Sequence, residues 1–143
     1  MIKSPTKILI MGLPGAGKTT IAKLLVTKIN AVWINADQIR EEYNDWDFSA
    51  EGRIKQSLRM RKISDELIEE KKNVVADFIC PTPQTRKDFN ADHLIWVDTI
   101  KESRFDDTNK MFIPPKKYFL RVLTKNSDYW VNQIIEKLNK ENN

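Results

Sequence analysis

Residues 12–19 carry the residue types and spacing with the clearest chemical meaning in this sequence. They read Gly-Leu-Pro-Gly-Ala-Gly-Lys-Thr, which matches the pattern of Gly, four residues, Gly-Lys and then Ser or Thr. Glycines let backbone N–H groups wrap closely around an anion, and a helix that begins at such a loop adds unpaired donors and a favourable dipole. The pattern therefore predicts a loop that binds the phosphates of a nucleoside triphosphate, which we expect to be ATP with Mg²⁺.

Two side chains of this loop are expected to take part in more than binding. Lys18 is predicted to reach the β- and γ-phosphates and to act in catalysis, and the hydroxyl of Thr19 to bind Mg²⁺. The alternative is a glycine-rich turn that binds no nucleotide, which the preceding strand and the following amphipathic helix disfavour. The predicted nucleotide-binding residues are Gly12, Leu13, Pro14, Gly15, Ala16, Gly17, Lys18, Thr19 and Thr20.

Two carboxylates follow predicted strands and are candidates for the same site. Asp37, just past the second strand, can accept a proton from an attacking hydroxyl or hold Mg²⁺ through water. Its structural alternative is a helix N-cap. Asp77 ends the third strand, the expected neighbour of the first, and can bind Mg²⁺ with Thr19 or serve only as a turn residue.

Forked arginine side chains and one polar helix face are candidates for binding a second, anionic substrate. The arginines are Arg40, Arg53, Arg59 and Arg86. Gln56 follows Arg53 by three residues and so shares its helix face. Residues 99–115 are polar and irregular, and their length and charge favour a lid over the site rather than a plain loop.

The apolar pattern predicts the elements that must position these residues. Strands are expected at residues 6–11, 31–35, 73–78, 93–97 and 118–123. Helices are expected at residues 18–30 and 37–43, from an N-cap at Ser49 to about Lys72, at residues 83–89, and after an N-cap at Ser127. This alternation predicts a three-layer α/β fold with a five-stranded parallel sheet, helices on both faces, and the ligand at the carboxyl ends of the strands.

Length and composition are consistent with a single domain over residues 1–143, with residues 99–115 as its lid. A single cysteine excludes an internal disulfide. Because the sequence has only one cysteine and one histidine, a zinc site is not expected. No apolar run is long enough to span a bilayer, and the early loop leaves no room for a signal peptide, so a cytoplasmic location is expected. The net charge of +4 fits a solvated surface, an anionic substrate or a nucleic-acid partner.

Several segments together resemble the adenylylsulfate kinase family. The first of them is shared by many kinases, but the ordered set is more specific, and it spans nearly the whole chain. The similar segments are residues 12–22, residues 35–40 (Asn-Ala-Asp-Gln-Ile-Arg), Phe48-Ser49 with Arg53, Ile79-Cys80-Pro81, and residues 112–115 (Phe-Ile-Pro-Pro).

The resemblance implies transfer of the γ-phosphate of ATP to the 3′-hydroxyl of adenylylsulfate. Asp37 would then take up the proton of the ribose hydroxyl, and Phe48 would stack on the adenine. The substrate-binding residues so implied are Arg40, Phe48, Arg53 and Gln56.

The chain departs from the family mainly on the acceptor side. Gly52 stands where the family has Asp, Gln56 where it has Asn, and Leu58 where it has Arg. The family's long basic lid is replaced by the short segment at residues 99–115. Three hypotheses follow: a small-molecule kinase acting on adenylylsulfate or a related nucleotide, a kinase acting on a nucleic-acid end, nucleoside or modified base, and a non-catalytic nucleotide-dependent switch.

Overall fold

A parallel sheet of five strands forms the centre of the protein. The computed structural model describes residues 2–141, and its sheet has the order β2-β3-β1-β4-β5. The strands are β1 (Lys7–Met11), β2 (Ala31–Asn35), β3 (Asn73–Asp77), β4 (His93–Val97) and β5 (Leu120–Val122). Strand β1 lies at the centre, with β3 on one side and β4 on the other, so the connection from β3 to β4 crosses over β1. A doubly wound sheet forms its ligand crevice at the point where the strand order reverses in this way.

Residues 2–141 also form six helices, and those packed on the sheet lie on both of its faces. They are α1 (Lys18–Ile29), α2 (Ala36–Tyr43), α3 (Ala50–Glu69), α4 (Pro83–Phe89), α5 (Asp106–Met111) and α6 (Ser127–Glu141). Successive residues of β1 point to opposite faces, so Ile8 and Ile10 pack in one core with α1 and α6. Leu9 and Met11 pack in the other core with Met60 of α3 and Phe89 of α4. The predicted three-layer α/β fold is confirmed.

The predicted elements agree with the structure except near three ends. Strand β5 begins at Leu120 rather than at residue 118. Helix α3 ends at Glu69 rather than near Lys72, because the chain turns at Lys71, which has a positive φ of 66°. Ser127 is not the cap of the last helix but its first residue, and the side chain of Asn126 accepts a hydrogen bond from the Tyr129 N–H.

The segment predicted as irregular, residues 99–115, contains the short helix α5. Two acidic residues, Asp106 and Asp107, occupy its first turn, where the helix dipole favours negative charge. Within residues 2–141, no helix combines the length and apolar character needed to cross a membrane.

Candidate functional site

The loop at residues 12–19, called the P-loop below, joins β1 to α1 and has the backbone geometry of an anion-binding loop. Gly12 has φ +153°, and a Cβ there would lie 2.4 Å from the carbonyl oxygen of Val97, so only glycine fits. Gly17 caps α1 with φ +104° and no side-chain hydrogen bond. The first N–H groups of α1 are therefore available to an anion at the mouth of the loop.

Side-chain donors hold three carbonyl groups of the P-loop. Lys18 Nζ donates to the Leu13 carbonyl at 2.9 Å. Lys125 Nζ donates to the Gly15 carbonyl at 3.0 Å, and Thr99 Oγ1 donates to the Ala16 carbonyl at 2.6 Å. These bonds fix the conformation of the loop, together with one from the Ala16 N–H to the Leu13 carbonyl at 3.2 Å. A loop of this kind presents its other N–H groups to an anion.

The predicted nucleotide residues divide into those that face the cleft and those that support it. Six of them line the cleft or the smaller depression beside it, namely Pro14, Gly15, Gly17, Lys18, Thr19 and Thr20. The other three residues of the loop are buried, namely Gly12, Leu13 and Ala16. Their side of the loop packs on the sheet, so any contact they make with a ligand has to come from their backbone.

Thr19 and Asp77 meet at the carboxyl ends of β1 and β3. Thr19 Oγ1 donates to Asp77 Oδ2 at 2.8 Å, and Asn35 Nδ2 donates to the same oxygen at 3.2 Å. These are hard oxygen ligands, which Mg²⁺ prefers, and Mg²⁺ usually adds waters and substrate phosphates to one or two carboxylates. Residues 2–141 contain no cluster of three His, Cys, Asp or Glu side chains suited to a metal. A hydroxyl beside one carboxylate fits Mg²⁺ that is held jointly with phosphate oxygens.

Burial shifts the pKa values of two groups at the base of the cleft. It raises the pKa of Asp77 from its ordinary value, while the hydrogen bond from Thr19 and the charge of Lys18 act in the opposite direction. Burial also lowers the pKa of Lys18, which the carboxylates of Asp77 and then Asp37 counteract. Burial removes both groups from water, and a bound cation and phosphates would replace the interactions that they lose with water.

Asp37 lies in the first turn of α2, exposed and facing the cleft. The N-cap of this helix is Asn35, whose side chain accepts a hydrogen bond from the Gln38 N–H at 3.1 Å. Asp37 is therefore not needed as the cap. Its carboxylate is left to interact with the cleft and with Lys18.

A single large cleft of about 1370 Å³ extends from the P-loop to the opposite wall. It contains the predicted substrate-binding residues Arg40, Phe48, Arg53 and Gln56. Two further arginines are not part of it: Arg59 pairs with Asp45, and Arg86 donates to the carbonyls of Cys80 and Ile113. The aromatic side chains of Trp46, Phe48 and Phe105 are each about half exposed in the cleft wall.

The buried arginines of the cleft keep only part of their hydrogen-bonding capacity for a ligand. Arg40 Nη1 donates to the carbonyls of Asp45 and Asp47, each at 3.0 Å. Arg53 Nε donates to the Phe48 carbonyl at 2.9 Å. Both guanidinium groups also lie near the ring of Phe48, Arg40 at 4.3 Å and Arg53 at 5.4 Å from its centroid.

Gln56 is nearly fully buried and is bonded at both ends of its side-chain amide. Its Nε2 donates to the Ala36 carbonyl at 3.0 Å, and its Oε1 accepts from Arg59 Nη1 at 2.7 Å. This links α3 to the start of α2, directly beside Asp37. Gln56 thus holds α3 against the start of α2 in the cleft wall.

Gly52 has a steric reason to differ from the aspartate of the resembling family. A Cβ on Gly52 would lie 2.2 Å from the carbonyl oxygen of Asp47. The chain before α3 therefore packs directly against the first turn of that helix. Any larger residue at position 52 requires this part of the cleft wall to move.

Sequence reasoning missed four polar residues that shape the site. Asn35 bonds to Asp77, Thr99 and Lys125 bond to the P-loop, and Thr108 accepts from Arg53. Asn35 is the last residue of β2, and Thr99 lies two residues beyond the end of β4, which is a signal that could have identified them. No sequence pattern marks Lys125 or Thr108.

The sheet order and the P-loop define a P-loop kinase fold. The chain belongs to the Zeta toxin family, whose sequence profile matches residues 1–94. The structure is similar to the Mycobacterium tuberculosis APS kinase in complex with AMPPNP and APS, with a TM-score of 0.77 and 19% identity over 95% of this chain and 98% of that one. The expected likeness to adenylylsulfate kinases is confirmed at the level of the fold.

Other kinases share the fold or part of the sequence. Shikimate kinase from Acinetobacter baumannii in complex with shikimate has a TM-score of 0.64 and 16% identity, over 96% of this chain and 94% of that one. A shikimate kinase of Blochmanniella floridana is 34% identical over 80 residues, 53% of this chain and 43% of that protein. A cytidine diphosphoramidate kinase of Campylobacter jejuni is 32% identical over 69 residues, 45% of this chain and 41% of that protein. The matched segments span less than half of these two relatives.

Proposed function

We propose that this protein is an ATP-dependent kinase that transfers the γ-phosphate to a hydroxyl group of a nucleotide-like acceptor. One observation carries the proposal: Lys18, Thr19, Asp37 and Asp77 border a single cleft, with room on its far side for a second substrate. Phosphoryl transfer needs little covalent chemistry from the protein and depends on positioning and electrostatic stabilisation. A cleft with this set of charges supplies both.

In this proposal the P-loop binds the phosphates of ATP. The free N–H groups at the start of α1 and the ammonium group of Lys18 face the β- and γ-phosphates. Mg²⁺ would be held by Thr19 and Asp77, and when bound it neutralises charge on the phosphates. Lys18 stabilises the negative charge of the migrating phosphoryl group, where a buried cation has a stronger effect than in water.

Asp37 acts as the general base on the acceptor hydroxyl. It is exposed in the cleft wall, and it is free of a capping role. A carboxylate in hydrogen-bond reach of the attacking hydroxyl can accept its proton as the new P–O bond forms. Transfer thus requires the acceptor between Asp37 and the γ-phosphate.

The far part of the cleft supports a planar and anionic acceptor. Phe48 is about half exposed in the cleft wall and can stack on a base, while Arg40 and Arg53 each donate only some of their guanidinium nitrogens to other parts of the protein. The volume of about 1370 Å³ exceeds the size typical of a small-ligand pocket, roughly 300–1,000 Å³. Adenylylsulfate is planar at its base and anionic, as this part of the cleft requires. Its 3′-hydroxyl would then lie toward Asp37.

A nucleic-acid end is the second candidate acceptor. The cleft is open enough for a chain end, and the net charge of +4 attracts phosphates. A panel experiment separates the candidates: the protein is incubated with γ-labelled ATP and adenylylsulfate, nucleosides, or DNA and RNA ends. Labelled adenylylsulfate supports the first acceptor and labelled ends the second. ATP binding without any labelled product would favour a nucleotide-dependent switch.

The salt dependence of acceptor binding gives an independent prediction. We expect a shallow dependence for a small acceptor with one or two charges, and a steep fall between low and moderate salt for a nucleic acid. Arg104 is exposed in the cleft wall, so Arg104→Ala removes one cation without opening the core. It should raise the acceptor KM by a few-fold, and flatten a nucleic-acid salt slope by about one unit.

The control for this measurement is Arg61→Ala, which removes an equally charged side chain from α3 outside the cleft. It should leave the acceptor KM and the salt slope at their wild-type values. If both variants change the acceptor KM alike, the effect comes from the overall charge of the protein. The proposed acceptor wall would then be wrong.

A further inference from the structure

We propose that Arg53 is a positioning residue that fixes the spacing between the two walls of the acceptor cleft. One guanidinium group joins the backbone at Phe48 to helix α5 of the lid segment, residues 99–115. The proposal rests on the proposed function for its catalytic consequence, but the joint itself can be tested without any acceptor. It gives Arg53 a role that is separate from binding an anion.

The joint consists of two hydrogen bonds from one buried side chain. Arg53 Nε donates to the Phe48 carbonyl at 2.9 Å, and Arg53 Nη2 donates to Thr108 Oγ1 at 2.9 Å. Arg53 is 7% exposed and Thr108 is 5% exposed. The planar guanidinium group fixes the directions of these two bonds, which a flexible ammonium group would not do.

The electrostatics show that Arg53 is not held there by an ion pair. Among residues 2–141, no carboxylate lies within salt-bridge distance of Arg53, and its side chain donates to a carbonyl and a hydroxyl. Burial lowers its pKa, and the nearby charge of Arg40 lowers it further. Burying a cation without a carboxylate partner costs free energy. The hydrogen bonds to the Phe48 carbonyl and the Thr108 hydroxyl offset part of that cost.

The lid segment is held firmly at both ends and by this joint in between. At its start, Thr99 donates to the Ala16 carbonyl of the P-loop. At its end, the Ile113 N–H donates to the Pro81 carbonyl at 2.8 Å. Between residues 101 and 112, the bond from Arg53 to Thr108 is the side-chain hydrogen bond that links the lid to another part of the described chain.

Loss of the joint should therefore loosen the middle of the lid and leave its ends in place. Phe105, Asp106 and Asp107 line the cleft from this middle part. If they move outward, the acceptor loses one wall and water reaches the phosphate site. Acceptor KM should rise, and hydrolysis of ATP without acceptor should increase relative to transfer.

The test compares Thr108→Val with Thr108→Ser by hydrogen–deuterium exchange of residues 103–112 in the ligand-free protein. Valine keeps the shape of threonine but removes the acceptor oxygen, and serine keeps the oxygen. We expect about tenfold faster exchange in Thr108→Val, since a hydrogen bond to a charged group is lost, and near wild-type exchange in Thr108→Ser. Equal exchange in Thr108→Val and wild type would overturn the proposal.

A matched control distinguishes the joint from a general effect of losing a hydroxyl. Thr27→Val removes a hydroxyl that bonds only to the Lys23 carbonyl within α1. Its exchange at residues 103–112 should match that of the wild type. If Thr27→Val loosens the lid as much as Thr108→Val does, the loss of stability is global and the joint is not the cause.

The catalytic consequence has its own readout. With the acceptor that the labelling panel identifies, Thr108→Val should raise acceptor KM about tenfold while the KM for ATP stays near wild type, and Thr108→Ser should restore it. Loosened exchange with an unchanged acceptor KM would contradict the positioning role. Absence of transfer in the wild type would instead contradict the proposed function, and the exchange experiment would still decide whether the joint exists.

Discussion

Lys18→Ala is expected to reduce phosphoryl transfer by about 10²–10³. The ammonium group is buried at the base of the cleft, where burial lowers its pKa and carboxylates counteract that effect. In the proposed mechanism it stabilises negative charge on the migrating phosphoryl group, and alanine leaves that charge without a partner in a poorly solvated site. The measurement is the initial rate of transfer at saturating ATP and acceptor.

The control for this variant is Lys28→Ala. Lys28 is on the same helix, but it is exposed and contacts Asn132 rather than the cleft. Its transfer rate should match that of the wild type. If Lys18→Ala keeps more than about a tenth of the wild-type rate, the P-loop is not the catalytic loop.

Asp37→Asn is expected to lower turnover by about 10² or more while ATP binding stays nearly unchanged. The amide keeps the size of the side chain but cannot accept a proton. The fold should not suffer, because Asn35 provides the cap of α2 and Asp37 is exposed. Transfer rates and the ATP dissociation constant of the same preparation check both parts of the prediction.

Two comparisons separate a base from a metal ligand. Asp77→Asn should weaken Mg²⁺-dependent ATP binding, since Asp77 bonds directly to Thr19 and would hold Mg²⁺ with it. Glu41→Gln, a charge change on the exposed side of α2, should change neither quantity. A parallel loss of ATP affinity in Asp37→Asn would assign Asp37 to the metal and leave the proton without this acceptor.

Much of the fold was predictable because its information is local. The five strands are short apolar runs, and α1 has apolar residues at helical spacing. Once Asp77 was predicted at the end of a strand beside β1, its closeness to Thr19 followed from the geometry of a parallel sheet. The hydrogen bond between Thr19 and Asp77 agrees with that expectation.

The parts that the sequence did not reveal depend on contacts between distant residues. Arg53 and Thr108 are 55 positions apart, and Lys125 and Gly15 are 110 apart. Neither pair belongs to a sequence motif, and the sequence alone does not distinguish a buried arginine from an exposed one. Helix α5 was missed for a related reason, because its six residues are too few to show a periodic apolar face.

The acceptor side was the least predictable part of the site. The resemblance suggested which residues contact an acceptor, but it did not show that Arg40, Arg53 and Gln56 already bond to the cleft walls. It also gave no reason for Gly52, which the close approach of the Asp47 carbonyl now explains. Packing of one segment against another decides these details, and a single sequence does not encode that packing in a readable pattern.

The most direct test of the central claim follows the γ-phosphate itself. The wild-type protein is incubated with γ-labelled ATP, Mg²⁺ and each acceptor of the panel, with Lys18→Ala as the blank, and the label is traced in every product. The account predicts that the label appears on a hydroxyl of one acceptor in amounts equal to the ADP formed. Label found only in inorganic phosphate, or ATP bound but unchanged with every acceptor, would contradict it.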